Sequence, residues 1–96
     1  MIDDFAWNEE DPLQRVEPET AKSSRALFDY ALLGASRSLY KLAAQYKNLL
    51  HNGVKPAPPT SNLRQLQEWS SKFDWQRRVL IFDQIESDQE LDKWEA

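Results

Sequence analysis

Ninety-six residues with no cysteine make one small domain around a single core, without disulfides or thiolate metal sites. No apolar run approaches a membrane span, and Met1-Ile2-Asp3-Asp4 lacks the basic and apolar regions of a signal peptide, so the expectation is a cytoplasmic protein with no membrane partner. The net charge of −4 hides a segregation: residues 1–19 carry seven acids and one arginine (−6), residues 20–82 ten Lys or Arg against Asp29, Glu68 and Asp74 (+7), and residues 83–96 six acids and Lys93 (−5). A basic middle between two acidic ends fits a polyanionic partner. Solvated helix faces are the plain alternative.

Residues 1–17 scatter Phe5, Trp7, Leu13 and Val16 among acids with no period of two or of 3.6, which predicts a flexible acidic arm. Adjacent carboxylates on a mobile strand lack the fixed geometry a metal needs. Phe5 and Trp7 are expected to dock, on the domain or on a partner. Glu17-Pro18-Glu19-Thr20 opens a first helix, with proline in its first turn and acids at its positive end. Leu27, Tyr30, Ala31 and Leu33 form its buried stripe, Phe28 and Leu32 flank it, and Gly34 ends it.

The second helix starts near Ser36 or Ser38, with Leu39, Leu42, Ala43 and Tyr46 inward and Arg37, Lys41 and Lys47 outward. Ala43-Ala44 permits close helix approach. Residues 47–60 break the pattern: Asn52-Gly53 is a turn signal, and Pro56, Pro58 and Pro59 favour extended chain. Lys47 and Lys55 flank this stretch, which is read equally as an added nucleic-acid contact or as a spacer. Its His51, the single histidine, reads as a surface residue.

Thr60, Ser61 or Asn62 caps a third helix whose inward face is Leu63, Leu66, Trp69 and Phe73. Its outward face holds Ser61, Asn62, Arg64, Gln65, Glu68 and Lys72, and Arg, Gln and Asn near a helix start are the types that read base edges in a major groove. A plain polar surface uses the same residues. Asp74 is placed to cap a fourth helix with its carboxylate. Trp75, Val79, Phe82 and Ile85 form that helix's stripe, and Arg77 and Arg78 add positive charge beside the third helix. The stripe fades into an acidic tail, residues 86–96, where Leu91 and Trp94 either extend the helix into a self-association surface or fray. Two glycines cannot build a phosphate loop and one histidine cannot build a triad, so no enzyme, cofactor or metal is expected.

Trp69-Ser70-Ser71-Lys72-Phe73-Asp74-Trp75-Gln76-Arg77-Arg78-Val79, followed by Phe82-Asp83, resembles the end of a helix-turn-helix module in small phage and prophage DNA-binding proteins described as small terminase subunits. Arg37-Ser38-Leu39-Tyr40-Lys41-Leu42-Ala43 resembles the module's first helix, and the likeness spans about Glu19 to Asp83. The long connection between the two helices departs from the three or four residues usual for the motif. The resemblance implies recognition of double-stranded phage DNA, assembly into a homo-oligomer and delivery of DNA to a large ATPase subunit.

The expected architecture is therefore an all-α, homeodomain-like bundle of about four helices over residues 18–85, with flexible acidic termini. Arg37, Lys41, Lys47, Lys55, Ser61, Asn62, Arg64, Gln65 and Lys72 are the candidate DNA contacts. A protein-interaction module using the acidic arms and the aromatic corner is the rival reading, and a transcriptional regulator using the same helix is a third.

Overall fold

The computed structural model describes residues 5–95, with side chains through Gln89. It is an all-α bundle of four helices, with no strand among the described residues. Helix α1 spans Ala21–Leu32, α2 Leu39–His51, α3 Leu63–Lys72 and α4 Trp75–Glu95.

Helix α1 begins later than expected, because Thr20 is the cap. Its hydroxyl accepts the Ser23 amide at 3.1 Å while Ser23 Oγ accepts the Thr20 amide at 3.0 Å, which satisfies two amides at once. Pro18 and Glu19 therefore precede the helix. Leu27, Tyr30 and Ala31 are buried as the spacing predicts, while Phe28 and Leu32 lie on the opposite, exposed side. Gly34 follows the last turn with φ +83, a conformation glycine takes without a Cβ penalty. Ser38 caps α2 through the Lys41 amide, and Asn62 caps α3 through the amides of Arg64 and Gln65. Leu42 and Tyr46 from α2, Leu66 and Phe73 from the α3 end, and Trp75 and Val79 from α4 complete the core. Tyr30 and Trp75 rings meet at 5.5 Å.

Residues 52–62 link α2 to α3, whereas only Phe73 and Asp74 link α3 to α4. Asp74 holds φ +55, the left-handed region an aspartate tolerates better than most residues. Its carboxylate does not cap α4. Asp74 Oδ2 accepts the Trp7 indole N–H at 3.0 Å instead.

That bond belongs to a larger correction. Residues 5–19 do not form a free arm but a strap laid over the α3–α4 corner. The Phe5 ring packs 5.2 Å from Phe73, Leu13 packs on the core, and Pro12 is buried. The strap closes on Arg78, whose side chain is fully buried. All five guanidinium hydrogens find acceptors: Nε donates to Pro12 O at 2.7 Å, Nη1 to Glu19 Oε2 at 2.8 Å and Phe73 O at 3.2 Å, and Nη2 to Gln14 O at 2.9 Å and Glu19 Oε1 at 3.2 Å. Glu19 Oε1 also accepts the Val16 amide at 3.0 Å. Arg78, expected at the surface, is a core residue. The acidic stretch assigned as a tail from residue 86 is, through Glu95, the continuation of α4. The part of that expectation resting on the side chains of Leu91 and Trp94 lies outside the described residues.

Candidate nucleic-acid interface

The face of α3 turned from the core carries Arg64, Gln67, Glu68, Ser71 and Lys72, which line one shallow depression. The spacing of three and four residues puts them on a single side of the helix, opposite Leu66 and Phe73. Gln67 and Ser71 were not singled out in the sequence. Counting three and seven residues on from Arg64 finds them. Gln65 is half-buried and stands at the edge of this face, while Ser61 is exposed just ahead of it. Asn62 is exposed too, but its Oδ1 is occupied by the Arg64 amide at 2.9 Å and the Gln65 amide at 3.4 Å. Its amino group alone is left for other contacts.

Five of the chain's six arginines are engaged within the protein. Arg15 donates to Glu19 O, Arg25 meets Asp29 and Ala57 O, Arg77 meets Glu9, and Arg78 meets Glu19. Arg37 is a second correction, for it does not face out. Its guanidinium forks onto Asp83 at 2.8 and 2.9 Å and donates to Tyr30 O and Ala31 O, closing carbonyls at the end of α1. The Asp83 hydrogen bonds raise the Arg37 pKa above its ordinary value, and the same bonds hold the Asp83 carboxyl below its own. A side chain so occupied is not open to a phosphate. Arg64 is the exception. It is exposed on the first turn of α3, and among the described residues its guanidinium has neither an ion pair nor a hydrogen-bond partner.

The lysines are freer. Lys47 and Lys55 are exposed without a carboxylate within 4.0 Å among the described residues, and Lys41 Nζ donates only to Ser36 O at 2.7 Å. Lys72 is exposed, with its Nζ 5.4 Å from the centre of the Phe73 ring. The loop bearing Lys55 is tied down. Arg25 Nη1 donates to Ala57 O at 2.7 Å, Pro58 is buried, and Arg25 pairs with Asp29, which accepts the Tyr46 hydroxyl at 2.6 Å. Burial, helped by that bond to Asp29, pushes the Tyr46 phenol far above its ordinary value.

Among the described residues no group of His, Asp and Glu is arranged to hold a metal ion, and no helix is long and apolar enough to cross a membrane. The fold and site define a small all-α protein with an arginine and a lysine on one exposed helix face that have no ion pair among the described residues. No protein-family model, curated protein or solved structure matches the chain.

Proposed function

We propose that the chain is a non-enzymatic protein that binds double-stranded DNA through α3, in the manner of a small phage packaging factor that also recruits a larger ATPase. The observation that carries the reading is Arg64. In a protein that ties up its other arginines internally, the one on the first turn of α3 keeps its planar fork free, in the position and geometry suited to a guanine edge. Gln65 and Gln67 supply amide donors and acceptors alongside. Among the described residues, Glu68 is the lone carboxylate lining this face. It repels phosphate but accepts from a cytosine amino group, so it favours base contact over unspecific adhesion. Lys72, Lys47 and Lys55 supply charge for the backbone.

The test is selection of a preferred duplex from a random library, followed by two substitutions. Arg64→Ala should cost about 1–3 kcal/mol of preference for the selected site over random DNA. Lys72→Ala should weaken both about equally. If both variants lose affinity uniformly, α3 is a charged surface and not a reader, and the protein-interaction reading takes its place.

A further inference from the structure

We propose that Arg77 is a further phosphate-binding residue of this surface, held in reserve by the acidic strap. The inference rests on the reading of α3 as a DNA-binding helix. It begins with the chain itself: the two-residue link Phe73-Asp74 keeps the start of α4, where Arg77 stands, next to the end of α3, where Lys72 stands. Arg77 differs from its buried neighbour Arg78. Its side chain is 63% exposed, and among the described residues its one ionic partner is Glu9, itself 65% exposed, at 3.3 Å. Its guanidinium also lies 5.8 Å from the centre of the Trp7 ring. Ion pairs this exposed contribute little by themselves, so it is the fixed acidic charge around Arg77, more than the pair with Glu9, that keeps a phosphate away.

What keeps Arg77 occupied is the way the strap is pinned. Trp7 is fixed to Asp74 through its indole N–H, and Pro12 O is fixed to Arg78. Between these two anchors the chain makes a turn closed by the Asp11 amide on Asn8 O at 3.1 Å and the Glu10 amide on Asn8 Oδ1 at 2.9 Å. The turn carries Glu9, Glu10 and Asp11, all exposed. Glu9 is therefore stationed at Arg77, with Glu10 and Asp11 following it in the same fixed turn and not spread through a mobile arm. DNA approaching along α3 meets cations up to Lys72 and then a fixed acidic border. Neutralising that border frees Arg77 for a phosphate without detaching the strap.

The experiment uses the full chain and compares duplex affinity at 50 and 200 mM salt. Glu9→Gln, Glu10→Gln and Asp11→Asn are combined in one variant, with a thermal melt to verify the fold. One added phosphate contact increases the affinity lost between those two salt concentrations by about threefold. The combined variant should show that increase over the parent. Arg77→Ala added to the combined variant should abolish it, and Arg77→Ala in the parent should change little. Equal salt dependence of parent and combined variant overturns the inference, as does an Arg77→Ala effect of the same size in both backgrounds. Either result, with the parent still binding DNA, leaves the α3 reading standing. Absence of binding by parent and combined variant alike overturns both.

Discussion

Two arginines adjacent in sequence have opposite physical roles, and the difference is measurable. Removing the Arg78 side chain leaves the Glu19 carboxylate buried without its cation, a loss of about 3–5 kcal/mol. That is a large part of the 5–15 kcal/mol that typically holds a domain of this kind together. Arg77→Ala removes an exposed pair and should shift stability by no more than about 0.5 kcal/mol. Urea unfolding of the two variants checks the contrast, and equal midpoints would place Arg78 outside the core. Arg37 and Asp83 give a pH signature. The folded Asp83 pKa lies below its ordinary 3.8, so the stability it adds is complete above that pH and is lost as pH falls through the lower folded value. The parent should therefore lose more stability than Asp83→Asn between pH 5 and pH 2. The effect is modest, because the Asp83 side chain is 43% exposed and water screens the pair.

At the scale of elements, the link between α2 and α3 is a braced loop. Arg25 holds Ala57 O, and Pro58 is buried behind it. Arg25→Ala should speed amide exchange and proteolytic nicking within residues 52–59 while the melting temperature moves by only a few degrees. Unchanged exchange in the loop would mean that Pro58 alone holds it. The helices themselves were legible in the sequence. Leu27, Tyr30, Leu42, Tyr46, Leu66 and Phe73 follow helical spacing, and Ser38, Asn62 and Gly34 carry local capping chemistry that needs no distant partner. Of the strap, only the docking of Phe5 and Trp7 was legible, as one of two alternatives, and its path was not. Its contacts are irregular, and Glu19 and Pro12 find Arg78 across 59 and 66 residues of sequence. One signal did exist. Arg78 falls three residues after Trp75 and four before Phe82, on the inward stripe of α4, where a charge demands a buried partner. Arg37 offered no comparable sign, since its acceptors Tyr30 O and Ala31 O belong to another helix's end. The candidate interface was half legible: periodicity found the outward face of α3, but only the structure separates free Arg64 from occupied Arg37.

Taken as a whole, the molecule is less basic toward a partner than its middle segment reads. Among the described residues, three of the ten cations in residues 20–82 pair with acids outside that segment, namely Arg37 with Asp83, Arg77 with Glu9 and Arg78 with Glu19. Arg25 meets Asp29. Six remain without a carboxylate partner among the described residues: Lys22, Lys41, Lys47, Lys55, Arg64 and Lys72. At about 0.9 per phosphate neutralised, the slope of log affinity against log salt should be no steeper than about −5 per chain. A markedly steeper slope in fluorescence titrations would require cations that the fold holds elsewhere. The buried Arg78–Glu19 contact also sets an order of events during synthesis. Phe5, Trp7 and Glu19 leave the ribosome long before their receptor exists, because Arg78 lies 59 residues behind Glu19. At roughly 5–20 residues per second that interval is on the order of 3–12 s. Through it the strap's aromatic rings stay in water, so the nascent chain is most exposed to chaperones and proteases just before its own fourth helix emerges.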